Sequence, residues 1–137
     1  MIDQAGAVPL DSYRALVIEE DKELRRALVQ LLKGRGWLVH VVRRAEQALP
    51  ILARISYHLI IADAELPGLS GIEFARMLHH TRELSAVPVI VMANTCGHRS
   101  TGVGALVIRK SAWCSELTKA LIGIEGELRE RGKIDAN

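Results

Sequence analysis

The chain has 137 residues, of which 49% are hydrophobic and 25% charged, a composition typical of one soluble globular domain that excludes disorder as its main state. The formal net charge is only +2 and no block of five like charges occurs, so we expect no direct contact with nucleic acid. No apolar run is long enough to span a bilayer and the N-terminal stretch lacks the pattern of a signal peptide, so we expect no membrane contact. Two cysteines do not form a disulfide framework, which favours a cytoplasmic location.

Short apolar segments alternate with segments of helical periodicity along the whole chain. The predicted strands are 14–18, 37–42, 58–62, 87–92 and 106–108, and the predicted helices are 21–33, 45–56, 72–80 and 111–131. Pro50 lies inside the second helical segment, where it removes a hydrogen bond, so we expect a kink or a late start there. Cys114 falls on the apolar stripe of the last helix, and we expect it to pack in the core.

This alternation of strands and helices predicts a single α/β domain, a parallel sheet with helices on both of its faces. We assign the domain to residues 14–131. Residues 1–13 contain turn-forming residues and are predicted to be a flexible N-terminal arm, and residues 132–137 are predicted to be a C-terminal tail.

Charged side chains follow three of the five predicted strands at the point where each strand ends. Glu19 and Glu20 follow the first strand, Asp63 follows the third and Lys110 follows the fifth. Ligands of open parallel sheets bind outside the carboxyl ends of the strands. Each acid taken alone is more often a helix cap than a ligand, but their joint placement favours a site. Crowded carboxylates, a divalent cation and a lysine would suit phosphoryl transfer.

Four stretches of the chain resemble one known family. The stretches are ALVIEEDKELRRAL, LIIADAELPGLSGIEFARML, PVIVMA and GALVIRKS, and the second is the most specific. They resemble the receiver domain of bacterial two-component response regulators, similar to the chemotaxis response regulator, over residues 14–128. The resemblance implies a doubly wound, flavodoxin-like fold with a five-stranded parallel sheet in the order 2-1-3-4-5.

The resemblance also implies a role for each residue at the strand ends. Asp63 would accept a phosphoryl group from a histidine kinase or a phosphotransfer protein, and Lys110 would contact that group. Glu19, Glu20, Asp63 and the backbone carbonyl of Glu65 would bind Mg²⁺. The phosphorylated domain would then control a downstream protein or a covalently linked output domain, and a homodimer is a further expectation.

Several positions depart from the family pattern. Glu20 is one methylene longer than the usual Asp, which would weaken the binding of Mg²⁺. Ala93 stands where the family has Thr or Ser, although Thr95 lies nearby, and Val107 stands where it has an aromatic residue. Ser111 replaces the usual Pro. The segment 94–104 contains three glycines and no apolar stripe, so we expect the family's fourth helix to be shortened or missing.

Two functions therefore remain open at the level of sequence. The first is a phosphoacceptor receiver that uses Asp63. The alternative is a pseudo-receiver that acts as an interaction module without phosphorylation, which the residues at 20, 93 and 107 favour. We do not expect an enzyme, because a phosphohydrolase of the aspartyl-phosphate type would need a second Asp where Glu65 stands.

Overall fold

A computed structural model of the protein describes residues 13–94 and 105–135. The predicted arm up to residue 12, Thr95 and almost all of the segment in which we expect a reduced fourth helix lie outside the described residues. Within the described ranges, no helix combines the length and the apolarity that a membrane crossing requires.

Five parallel strands form one sheet in the order β2-β1-β3-β4-β5. The strands are β1 (Arg14–Ile18), β2 (Leu38–Val42), β3 (Leu59–Asp63), β4 (Val89–Ala93) and β5 (Leu106–Arg109). The helices are α1 (Lys22–Gly34), α2 (Ala45–Leu52), α3 (Gly71–His79) and α4 (Trp113–Asp135), with a 3₁₀ turn at Lys110–Ala112. The predicted fold class and strand order are thereby confirmed.

The inner strands are apolar at nearly every position because helices cover both faces of the sheet. On one face, alternate residues of β1, β3 and β4 pack against α1 and α4, with Leu28, Leu32, Leu117 and Leu121 fully buried. On the other face they pack against α2 and α3, where Ala48, Phe74 and Leu78 are buried. The strands are parallel and paired in register, so their carboxyl ends, and the side chains that follow them, lie at one edge of the sheet.

Helix α2 begins at Ala45, as the helical pattern predicts, and ends at Leu52 rather than at residue 56. Of the two effects expected from Pro50, the late start is wrong and the kink stays a prediction. Pro50 lies inside the helix with its side chain exposed, while Ala45, Ala48 and Leu52 are buried against the sheet. Packing of this inner face outweighs the hydrogen bond that the proline removes.

The buried stripe of α4 contains Leu117, Leu121, Ile124 and Leu128 as predicted, but its first member differs from the prediction. Cys114 is exposed, so its predicted place in the core is wrong, and Trp113 packs against the core instead. Trp113, Leu117 and Leu121 follow a spacing of four residues, which places them on one side of the helix. The larger apolar area of tryptophan makes its burial more favourable than that of cysteine.

Both predicted ends of the domain also need correction. Helix α4 continues to Asp135, so residues 132–135 are helical rather than a tail. Tyr13, which we assigned to the arm, packs against the core and donates a hydrogen bond from its hydroxyl to the Leu128 carbonyl at 3.3 Å. This contact attaches the start of β1 to the far end of α4.

A buried carboxylate joins α1, β2 and α4. Glu125 of α4 is 2% exposed and accepts hydrogen bonds from Arg35 Nε at 2.9 Å, Arg35 Nη2 at 2.7 Å and Trp37 Nε1 at 2.9 Å. Burial alone would raise the pKa of Glu125, but these hydrogen bonds and the Arg35 charge outweigh it and lower the pKa. Glu125 is therefore ionised in the folded protein at neutral pH, and its loss would leave three N–H donors, two from Arg35 and one from Trp37, without their acceptor.

We predict that Glu125→Gln lowers the free energy of unfolding at pH 7 by about 1–3 kcal/mol, because a charge-assisted hydrogen-bond set is lost. The folded-state pKa lies below the ordinary value of 4.5, so the stabilisation is present above pH 4.5 and is lost as the pH falls through the folded pKa. Urea unfolding at several pH values should show the difference from wild type shrinking in acid. Glu127→Gln, an exposed change on the same helix, should shift stability by less than about 0.5 kcal/mol.

Candidate functional site

Asp63 and Lys110 meet at the carboxyl edge of the sheet. Asp63 is the last residue of β3 and is 7% exposed, and Lys110 directly follows β5. Strand β4 lies between them and aligns Met92 with Asp63 and Ala93 with Arg109, so that β3 and β5 end at the same level. Lys110 Nζ lies 2.8 Å from each oxygen of the Asp63 carboxylate.

Glu65 contributes to the same group through its backbone and its side chain. Its amide donates a hydrogen bond to Asp63 Oδ1 at 2.9 Å, and its Oε1 lies 3.4 Å from Lys110 Nζ. At the metal site, the sequence predicts a role only for the Glu65 carbonyl. The position of this residue two places after a strand-ending Asp was a signal that its side chain would lie near the same cation.

Glu19 is the second buried carboxyl group of the site. It is 1% exposed, its Oε2 accepts a hydrogen bond from the Asp21 amide at 3.0 Å, and its Oε1 is buried without a hydrogen-bond partner. Burial raises the pKa of Glu19 to about 7; the Asp21 amide opposes this shift and the charge of Asp63 adds to it. An unpaired buried oxygen beside a second carboxylate is a place where a cation would be stabilised.

Lys110 keeps its charge in this setting. Burial would lower the pKa of its ammonium, but the hydrogen bond to Asp63 and the negative charges of Asp63, Glu19 and Glu65 outweigh burial and raise the pKa. The site therefore holds a protonated lysine whose position is fixed by carboxylates, which is the chemistry needed to bind the oxygens of a phosphoryl group.

Glu20, which the resemblance also implies as a ligand of Mg²⁺, has an exposed side chain. Within residues 13–94 and 105–135, no three Asp, Glu, His or Cys side chains form a group that could hold a metal ion. Mg²⁺ in phosphoryl-transfer sites is commonly held by one or two carboxylates together with water and phosphate oxygens. Glu19, with its unpaired oxygen, and Asp63 supply two carboxylates, and this donor set fits Mg²⁺ on those terms.

Arg25 fixes the turn that carries the two glutamates. Its Nη1 donates hydrogen bonds to the carbonyl oxygens of Glu19 and Glu20, each at 3.1 Å. Asp21 caps α1 by accepting from the Leu24 amide at 2.9 Å, which places Arg25 one turn into the helix. Arg25 therefore binds main-chain carbonyls next to the site, a role that its position in the sequence does not indicate.

The end of β4 carries no hydroxyl near Asp63 among the described residues. Ala93 is fully buried and has no side-chain donor, and Val107 on β5 is half-buried with no ring to move. Both departures from the family pattern thus lie at positions that face the interior of the domain.

Gly71 brings α3 unusually close to Asp63. A Cβ on Gly71 would overlap the carbonyl oxygen of Asp63, lie 2.7 Å from the carbonyl carbon of Asp63 and lie 3.1 Å from Cα of Ala64. The Gly71 amide also donates to the Ala64 carbonyl at 3.2 Å. Only glycine allows this approach, so the main chain of Asp63 rests directly on the first turn of α3.

Comparison with known sequences gives one consistent result. Residues 15–110 match the family model of the response regulator receiver domain. An uncharacterized transcriptional regulatory protein from Bacillus subtilis, YkoG, is 26% identical over 123 residues, which are 90% of this chain and 54% of that protein. The chain thus spans about half the length of this curated relative. The DNA-binding response regulator MtrA from Mycolicibacterium smegmatis is 33% identical over 79 residues, which are 58% of this chain and 33% of that protein.

Solved structures agree with the sequence comparison. The receiver domain of Francisella response regulator 1452 aligns with a TM-score of 0.72 and 21% identity over 88% of this chain and 98% of that one, a likeness in fold. The response regulator TrrA from Thermotoga maritima, solved in complex with Mg²⁺ and BeF, aligns with a TM-score of 0.73 and 25% identity over 82% of this chain and 98% of that one.

We predict that Gly71→Ala destabilises the protein by about 1–3 kcal/mol, because the new methyl group must displace the backbone of Asp63 or Ala64. Thermal or urea unfolding measures the effect, and amide chemical shifts of residues 63–65 should move with it. Gly123→Ala is the matched control, since its Cβ meets nothing within 4 Å. In the exposed middle of α4, that change should stabilise the protein by about 0.5–1 kcal/mol. Equal effects at the two glycines would contradict the close approach.

Proposed function

The chain belongs to the response regulator receiver domain family, and on that premise we propose that it accepts a phosphoryl group on Asp63 as part of a two-component phosphorelay. The observation that carries the proposal is the contact between Asp63 and Lys110, 2.8 Å apart at the carboxyl edge of the sheet. A nucleophilic carboxylate and a cation for the transferred group are the two elements that phosphoryl transfer needs from the protein.

In the proposed reaction, an oxygen of the Asp63 carboxylate attacks the phosphorus of the donor. A new oxygen–phosphorus bond forms, and the bond from phosphorus to the donor breaks with its electron pair left on the donor atom. The Lys110 ammonium binds an oxygen of the group in transit and balances its negative charge. The Glu65 amide, which bonds Asp63 Oδ1 at 2.9 Å, holds the carboxylate in one orientation.

Mg²⁺ would neutralise negative charge on the phosphoryl oxygens when bound. The residues that would hold it are Glu19, Asp63 and the backbone carbonyl of Glu65. Glu20, which directly follows Glu19, would be a further ligand. Arg25, through its hydrogen bonds to the carbonyls of Glu19 and Glu20, keeps that turn in place. Because Glu20 is exposed and longer than Asp, we propose weaker binding of Mg²⁺ than an Asp at this position would give.

The proposed partners follow from the family. A histidine kinase or a phosphotransfer protein would donate the phosphoryl group in the cytoplasm. The curated relatives are longer than this chain, and MtrA is named as a DNA-binding response regulator. We therefore propose that the phosphorylated domain controls a downstream protein or a linked output domain, with signalling rather than enzymatic turnover as its role.

A second candidate function is a phosphorylation-independent interaction module. Ala93 is the observation that favours it, since a fully buried alanine offers no donor to a phosphoryl group on Asp63. The same fold would then present a constant surface to its partner. Phosphorylation assays separate the two functions directly.

We predict that incubation with acetyl phosphate and Mg²⁺ adds the mass of one phosphoryl group to the intact protein. Asp63→Asn should abolish the addition, because an amide oxygen is a poor nucleophile, and chelation of the metal should slow it. Glu83→Gln removes an exposed carboxylate away from the site and should leave the addition unchanged. A wild-type mass that stays constant would support the interaction module instead.

We further predict that phosphorylation changes the conformation of this domain less than that of a receiver with Thr or Ser at the position of Ala93 and an aromatic residue at the position of Val107. Ala93 and Val107 provide no group whose contacts differ between the two states, so the phosphoryl group has little differential energy with which to shift a population. NMR spectra with beryllofluoride and Mg²⁺ should show changes after Asp63 and little change at Val107 or in α4. Ala93→Thr alone should leave that pattern as it is. A cooperative change that reaches α4 would contradict this prediction.

A further inference from the structure

The end of β5 is bound by a carboxylate from the helix that follows it. Glu116 Oε1 accepts a hydrogen bond from the Arg109 amide at 3.0 Å. Glu116 Oε2 accepts two from the Arg109 guanidinium, from Nε at 2.9 Å and from Nη2 at 2.7 Å. One side chain of α4 therefore holds both the main chain and the side chain of the residue that directly precedes Lys110.

This contact lies directly before Lys110, so it affects the backbone that carries the lysine. Strand β5 is short and lies at the edge of the sheet, where among the described residues it pairs only with β4. Arg109 is its last residue, and the chain turns at once into the 3₁₀ turn that begins at Lys110. Any rotation of the backbone at Arg109 would therefore move the root of the lysine side chain.

The turn is closed by one backbone hydrogen bond, from the Trp113 amide to the Lys110 carbonyl. Ser111 stands where the resemblance to receiver domains places a proline, whose ring would fix one backbone dihedral angle. Serine has no such ring. The contacts of Glu116 with Arg109 supply an alternative restraint on the other side of Lys110.

We propose that Glu116 is a positioning residue that fixes Lys110 against Asp63. This proposal rests on the proposed role of Asp63 as the phosphoacceptor. The ammonium of Lys110 is within 2.8 Å of both Asp63 oxygens, and misplacement of a catalytic group by about 1 Å costs up to about 100-fold in rate. We expect partial misplacement when the Glu116 carboxylate is removed, and a rate of phosphorylation lower by about tenfold.

An ordinary exposed ion pair would not have this effect. Exposed pairs contribute little because water competes for both charges. The side chains of Arg109 and Glu116 are 54% and 25% exposed, so the pairing of their charges alone would contribute little. The hydrogen bond from the Arg109 main-chain amide to Glu116 is different, because it acts on the backbone. This hydrogen bond predicts different effects for two substitutions of Glu116. Glutamine keeps an oxygen that can accept from the Arg109 amide, whereas alanine has no acceptor.

The test compares Glu116→Ala, Glu116→Gln and the control Glu127→Ala, an exposed glutamate further along α4. Two quantities are measured on each full-length variant: the rate at which acetyl phosphate and Mg²⁺ add a phosphoryl group, and the NMR signal of the Lys110 ammonium together with amide exchange at Arg109 and Lys110. We expect Glu116→Ala to show faster exchange, a shifted ammonium signal and a rate about tenfold lower. Glu116→Gln should recover part of each, and Glu127→Ala should match wild type.

A lower melting temperature for Glu116→Ala with an unchanged rate and an unchanged ammonium signal would overturn the proposal, since it would show a structural role alone. If the wild-type protein accepts no phosphoryl group, the proposed function fails, and the ammonium signal and amide exchange still decide the positioning of Lys110. An unchanged signal and unchanged exchange in both Glu116 variants would then overturn it. If Glu116→Ala does not fold, the comparison of Glu116→Gln with wild type carries the same test.

Discussion

Glu19 and Asp63 are both buried at one edge of the sheet, and the ammonium of Lys110 compensates for placing the charged Asp63 there. Buried carboxylates lose hydration, and the loss is tolerable only when a cation and hydrogen-bond donors stand at fixed places. The sheet provides that precision: strands β3, β4 and β5 end in register, and Gly71 lets α3 press against the main chain of Asp63. The chemistry of the site thus depends on packing that lies outside it.

The features that sequence could predict are those set by local pattern. Continuous apolar runs indicate the inner strands because helices cover both faces of the sheet. The residues that follow those runs predict that Asp63 and Lys110 lie at the same edge of the sheet. The strand order came from the resemblance, since the pattern of apolar residues does not rank strands within a sheet. The late start expected from Pro50 and the buried place expected for Cys114 were wrong, because the packing of neighbouring residues decided where α2 begins and which residue starts the buried stripe of α4.

Other features could not be predicted from sequence because they depend on which charged side chain meets which hydrogen-bonding group in the folded chain. Glu125 looks like any helix-surface acid until Arg35, 90 positions earlier, is placed against it. Arg25 and Glu116 are charged residues in charged surroundings, and only the folded backbone shows that each binds main-chain groups next to the site. A pattern of residue types predicts which faces of the helices and strands are buried. It does not predict which charged side chain pairs with which hydrogen-bonding group.

The packing of Tyr13 has a consequence for the two ends of the described fold. The Tyr13 hydroxyl bonds to the Leu128 carbonyl, and a Cβ on Gly132 would lie 3.7 Å from the same hydroxyl. Tyr13 and Gly132 therefore lie close together at the end of the domain where β1 begins, opposite the edge of the sheet that holds Asp63. A covalent link between these two residues would join the ends of the described fold without crossing the edge of the sheet that holds Asp63.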